Sequence, residues 1–169
     1  MRAASKSTIF LVIAALPLSL CVDAQNDSQA PKTDFSGRWR MVKDKSDFAR
    51  ATMPDMIVRV VDQRGTTMNV HTVQTTGRKT TSADVSYFTD GSEASNVING
   101  HDATSKAFWD GPALMIRTNI KLSDGEDEWI LDRWELSDDG QMLTTISRIT
   151  TPKGGTELKL VCEKEKVGG

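Results

Sequence analysis

The chain has 169 residues, 38% hydrophobic and 26% charged, a length that one core can organise without a second domain. Its 21 basic and 23 acidic residues leave a net charge of −2, which gives no electrostatic footprint for nucleic acid or an anionic surface. Two cysteines exclude a multi-disulfide scaffold.

At the N-terminus, Arg2 and Lys6 precede an apolar run from Ile9 toward Cys21 that ends in Val22-Asp23-Ala24. The run spans about 13 residues, short of the roughly 20 that a membrane helix needs, and Pro17 interrupts it. Residues 1–24 therefore read as a secretory signal peptide, and the mature chain as a periplasmic or secreted protein without an integral membrane segment. Leu20 before Cys21 argues against lipid attachment there. Cys162 then stays as the single thiol, placed by the alternation of Leu158, Leu160 and Cys162 on an apolar face. Residues 25–34 have no apolar period and read as a flexible leader.

From Phe35 to Lys164 the sequence breaks into short runs rich in β-branched and aromatic residues, separated by Arg64-Gly65, Asp90-Gly91, Asn99-Gly100, Asp110-Gly111, Asp124-Gly125, Asp139-Gly140 and Gly154-Gly155. Such dipeptides mark tight turns, because their residues tolerate positive φ, so successive strands should pair with their neighbours. The runs predict strands over 36–43, 56–63, 67–75, 80–89, 92–98, 102–109, 113–121, 128–137, 141–150 and 156–164. Between the first two, Asp47-Phe48-Ala49-Arg50-Ala51 before Met53-Pro54 predicts one or two helical turns. The class is all-β: a ten-strand antiparallel meander closes into an up-and-down barrel to remove its edges. Residues 165–169 form a tail.

A hairpin centred on Asp139, followed by one centred on Pro152 to Gly154, places Ile130, Asp132, Trp134, Leu136, Met142, Thr144, Ile146, Arg148, Leu158, Leu160 and Cys162 on one face. Its apolar weight makes it the interior. Turns at Asp110-Gly111, Asn99-Gly100 and Asp90-Gly91 extend that face to Leu114 and Ile116 beside Ala107 and Ser105, and to Ala103, Asn96, Ala94, Tyr87 and Val85. Small inward residues leave volume, and a ten-strand barrel encloses more than an eight-strand one.

Asp132 and Arg148 are the ionisable members of this inferred face. One reading makes them a buried ion pair. The other makes Arg148 the clamp for a ligand carboxylate, with Tyr87, Asn96 and Thr144 adding neutral hydrogen bonds and Trp134, Ile146, Leu160, Leu114 and Ile116 lining the space. The expected ligand is a small hydrophobic or amphipathic molecule.

Phe35-Ser36-Gly37-Arg38-Trp39 opens the first strand, and its Gly37-Arg38-Trp39 resembles the Gly-x-Trp signature of lipocalins, within the calycin β-barrels. The resemblance runs from Phe35 to Lys164. It implies a tryptophan that closes the barrel base against an arginine of a late strand, a role for Arg148 or Arg133. Ten strands with a helical excursion are closer to the fatty-acid-binding branch, with a lid shortened to Lys45–Met53. The phrases from Trp109 to Leu114 and from Asp132 to Ser137 resemble small secreted bacterial lipocalin-like proteins.

No catalytic, metal or cofactor signature is present. His71 and His101 fall in different hairpins, Asp124 to Glu128 lacks an EF-hand pattern, and there is no nucleophile elbow or phosphate loop. The sequence reads as a binding protein and not an enzyme. The alternative is a solid barrel that meets a protein partner through outward Phe108 and Trp129.

Overall fold

The computed structural model describes residues 33–166; the predicted signal peptide lies outside them, as do leader residues 25–32 and the last three residues of the tail. Ten antiparallel strands follow in chain order: β1 (Gly37–Met41), β2 (Met56–Arg64), β3 (Thr67–Thr76), β4 (Lys79–Phe88), β5 (Glu93–Ile98), β6 (His101–Asp110), β7 (Ala113–Lys121), β8 (Asp127–Leu136), β9 (Met142–Thr151) and β10 (Gly154–Lys164). Each pairs with its chain neighbour except at one seam, and β1 also pairs with β10. The sheet thus curls into a nearly closed barrel whose two edges, β4 and β5, lie side by side without a backbone ladder.

One side chain does the work of the missing ladder. The Asn96 amide accepts from the Ser86 backbone N–H at 2.8 Å and donates to the Ser86 carbonyl at 3.0 Å, which satisfies both groups that an edge strand leaves open.

The predicted helical segment is replaced by a single 3-10 turn, Lys43–Lys45. Beyond it the chain lies along β10: Asp47 and Lys159 exchange two backbone hydrogen bonds of 2.7 Å, which draws the backbone away from helical geometry. The stretch still covers apolar surface, since Phe48 packs against the core and Pro54 is fully buried.

The base is filled by Phe35, Trp39, Met68, Leu114, Trp134 and Leu143, all buried. Trp39 donates its indole N–H to the Phe35 carbonyl at 2.9 Å. Phe35 stacks on Trp109 and meets Trp134 edge to face, with ring centroids 6.1 and 5.8 Å apart, within the favoured range for aromatic pairs. The cation over Trp39 is the Lys164 ammonium, 5.1 Å from the ring centre. Neither arginine implied by the lipocalin resemblance takes that place: Arg133 faces outward to Asp110 and Glu135, and Arg148 to Glu157. Gly37 has φ +143°, and a Cβ there would meet Lys164 Cε at 2.6 Å. The glycine of the signature therefore lets the lysine reach the tryptophan.

The leader's last residues fasten to this base, Thr33 donating to the Pro112 carbonyl at 2.7 Å and accepting from Gln63 at 3.1 Å.

Most predicted faces hold, and β9 is inverted. Leu136 pairs with Leu143, and Trp134 with Thr145, so Leu143, Thr145, Ser147 and Ile149 point inward while Met142, Thr144, Ile146 and Arg148 point outward. The predicted turn was centred on one residue, Asp139. In the structure Ser137 and Met142 close an even loop, with Ser137 N–H donating to the Met142 carbonyl and Met142 N–H to the Ser137 hydroxyl, both at 2.9 Å. The next hairpin is even as well, Thr151 opposite Gly154. Each change flips the following strand; the two cancel, so β8 and β10 keep their predicted faces. The Asp110-Gly111 hairpin slides by two residues, pairing Ala107 with Ile116 and Ser105 with Thr118, and a slide of two preserves the face.

Two substitutions test this framework. Asn96→Ala is expected to cost about 1–3 kcal/mol in urea unfolding, the penalty for stranding paired backbone groups, and to speed hydrogen exchange at the Ser86 amide. Gly37→Ala should cost a similar 1–3 kcal/mol, typical of a non-glycine residue held at strained φ, and thermal melting measures it.

Candidate functional site

The interior changes character with height. Above the aromatic base, the wall from β5 to β6 is built of Ala94, Ala103, Ser105 and Ala107, all buried, so little side-chain volume projects inward there. The Ser105 and Thr118 hydroxyls satisfy each other at 2.9 Å. Higher up, inward Arg59, Thr72, Ala83, Ile130, Asp132 and Ser147 are only partly buried.

Two opposite charges stand at this level. Arg59 follows Trp39 in register across β1 and β2 and so points inward. Its guanidinium lies 4.6 Å from the centre of the Trp134 ring, and one terminal nitrogen donates to the Thr145 hydroxyl at 3.2 Å. Its Nε is buried without a partner, as are the indole N–H groups of Trp134 and Trp109. Each such donor costs on the order of 1–3 kcal/mol while unmet. All three are donors, so the interior is short of acceptors.

Asp132 opposes Ser147 across β8 and β9 and accepts a short hydrogen bond from its hydroxyl. Burial raises the Asp132 pKa, against the lowering effects of that hydrogen bond and of the Arg59 charge. Tyr87, buried above Met68, has its phenol pushed up by desolvation and then by Asp132. Cys162 is a free buried thiol raised by burial to about 11, too high for a thiolate at neutral pH.

The structure thus brings together six of the eight predicted site residues: Asp132, Tyr87, Trp134, Leu160, Leu114 and Ile116 are buried or lie deep on the inner face. Leu114, Ile116 and Trp134 belong to the filled lower core, and Asp132 to the partly buried level above it. Arg148 and Ile146 do not join them. Their strand is inverted, and the Arg148 guanidinium is spent at the surface on Glu157 at 2.7 Å. Thr144 is outside with them, and Asn96 spends its amide on the seam.

The residue that the sequence reading missed is Arg59. The stretch Ile57-Val58-Arg59-Val60-Val61 is apolar on both parities, so alternation assigns it no face. The only signal was its register with Trp39, hidden behind the connection from Val42 to Asp55.

No family model and no curated protein matches this sequence. Solved structures do match in fold. A secretory abundant heat soluble protein from Ramazzottius varieornatus aligns at TM-score 0.58 and 15% identity, covering 79% of this chain and 96% of that one. Zebrafish ileal bile acid-binding protein complexed with cholic acid gives TM-score 0.55 at 15% identity, covering 78% and 98%. Secretory abundant heat soluble protein 4 from Ramazzottius varieornatus gives 0.54 at 16%, covering 79% and 98%. What these structures share with this chain is the fold, a nearly closed antiparallel β-barrel.

The raised Asp132 pKa has a consequence for stability. A carboxyl that holds its proton more tightly when folded stabilises least where it must ionise inside, so stability falls as pH rises from the ordinary carboxylate range through the raised value. Urea unfolding across that window should show the decline, with a slope no steeper than about 1.4 kcal/mol per pH unit, and Asp132→Asn should flatten it. A slope unchanged by the substitution would assign the decline to other groups.

Proposed function

We propose that this protein binds a small, largely apolar molecule in the upper half of its barrel and anchors an acidic or otherwise acceptor-rich head on Arg59. The observation that carries this reading is the unpartnered Arg59 Nε inside the barrel, beside an inward Asp132 that lies beyond ion-pair distance of it. A ligand carboxylate would supply the acceptor that the interior lacks, and Trp134 would hold the guanidinium flat. The apolar tail would rise past Ile130, Ile149 and Leu158 toward the turns at the open end. A fold neighbour bound to cholic acid, an acid on a large apolar body, is consistent with that chemistry. The N-terminal segment supports export, so the binding would take place in the periplasm or the medium. Binding alone, without chemistry on the ligand, is the reading for which the interior offers residues.

Native mass spectrometry of the mature protein taken from its own compartment should show an added mass that organic extraction removes. In titrations with dodecanoate, Arg59→Gln should weaken binding by about tenfold to a hundredfold, the range for a hydrogen bond to a charged group. Arg148→Gln should leave it unchanged. No copurified mass and no dodecanoate binding, in a variant set that melts normally, would remove this reading.

A further inference from the structure

The barrel carries a second concave site on its outer surface. The large hydrophobic side chains exposed among the described residues are Val97, Phe108 and Trp129, the last two 41% and 48% accessible, and all three fall on β5, β6 and β8. Phe108 and Trp129 bound a groove of about 380 Å³ whose remaining lining is mostly polar, with Lys106, Arg117, Asn119 and Glu93 among it.

The charge placement in this groove is unusual for the molecule. Lys106 and Arg117 are register partners, so two cations sit directly opposite each other, an arrangement that destabilises a sheet. The other outward arginines within strands are each held by a carboxylate: Arg38 and Arg40 by Glu165, Arg64 by Asp62, Arg133 by Asp110 and Glu135, and Arg148 by Glu157. Among the described residues Arg117 has none within 4.0 Å, and Lys106 reaches only Glu93, at 3.8 Å. Asn119, on the next outward position of β7, has a buried amide nitrogen without an acceptor. A lysine, an arginine and an orphaned amide donor therefore meet between two aromatic walls.

We propose that this groove is a binding site for a small organic anion with a flat apolar body, of the aryl carboxylate or aryl sulfonate class. The anionic group would lie between Lys106 and Arg117, relieve their repulsion and accept from Asn119. The ring would lie against Trp129 and Phe108, where aromatic contact adds to burial. Glu93 at the rim rejects a second negative charge, which favours a monoanion. The site stands apart from the barrel interior, because the alternation of β6 and β7 sends Ser105 and Thr118 inward and Lys106, Arg117 and Asn119 outward.

The probe is 2-naphthalenesulfonate, titrated into the full mature protein and followed by amide chemical shifts, with the Asn119 side chain as reporter. Saturable binding that shifts Asn119, weakens about fivefold to tenfold in Arg117→Gln and in Trp129→Leu, as loss of a charge-assisted hydrogen bond or an aromatic wall would do, and is unaltered in Arg59→Gln supports the site. Both substitutions alter exposed side chains, and melting temperatures confirm that the variants fold. Absence of saturation at millimolar concentration, equal affinity in Arg117→Gln, or displacement by dodecanoate overturns it, the last by moving the probe to the interior. Equal affinity for methanesulfonate overturns the ligand class. Because the Arg59 variant and dodecanoate test the interior separately, either site can fail without the other.

Discussion

Closure at the base rests on the approach of Lys164 to Trp39. The chain's last strand pairs with its first from Trp39 opposite Lys164 to Met41 opposite Cys162, and at that meeting an ammonium is held over an indole ring, across a glycine that leaves room for the lysine stem. Around that contact Phe35, Trp109 and Trp134 form one aromatic floor. Above the filled floor stand Arg59 and Asp132, both only partly buried. Trp39 is also the ladder partner of Arg59 on β2, so the two side chains share the inward face.

The number and limits of the strands were legible because most turns in this chain are written in Asn-Gly, Asp-Gly and Gly-Gly pairs, with Arg64-Gly65 beside them. Glycine at positive φ appears at Gly65, Gly91, Gly100, Gly111, Gly125, Gly140 and Gly154, so sequence punctuation and backbone geometry coincide. Turn parity was not legible. Asp139 and Gly140 mark a turn, but its length depends on whether the Ser137 hydroxyl takes a backbone role, and Ser137 does so by accepting from Met142. The composition of β9 gave no check. In Met142-Leu143-Thr144-Thr145-Ile146-Ser147-Arg148-Ile149 each parity carries two apolar residues, so the wrong face looked as apolar as the right one. On β10 the two parities differ sharply, Leu158, Leu160 and Cys162 against Val161 alone, and its face was legible.

Arg59 was hidden for a related reason with a larger consequence. An arginine among four aliphatic residues reads as the outward member of a strand, since a buried guanidinium without a carboxylate is costly. Here the cost is lowered by the Trp134 face and the Thr145 hydroxyl, both on strands far away in sequence. Compensation that comes through tertiary contacts leaves no local trace. The sequence therefore points to an inward arginine on β9, and the structure places one on β2 instead.

The two faces of β6 to β8 show why a barrel wall can carry two unrelated binding chemistries. Inward, Ser105 and Thr118 satisfy each other and Ala103 and Ala107 carry only methyl groups, so the wall there is neutral and self-contained. One residue along each strand, Lys106, Arg117 and Asn119 point outward, Arg117 without a carboxylate within 4.0 Å and Asn119 with an unpartnered amide nitrogen. Alternation means that neither set constrains the other: a substitution at Arg117 changes no inward side chain, and one at Ser105 changes no outward one. What couples them is register alone. A slip of one residue between β6 and β7 would exchange the faces of one strand, bury a lysine or an arginine and expose the small residues of the inner wall. The cost of such a slip holds the hairpin in place, and it keeps the outward cations side by side despite their repulsion.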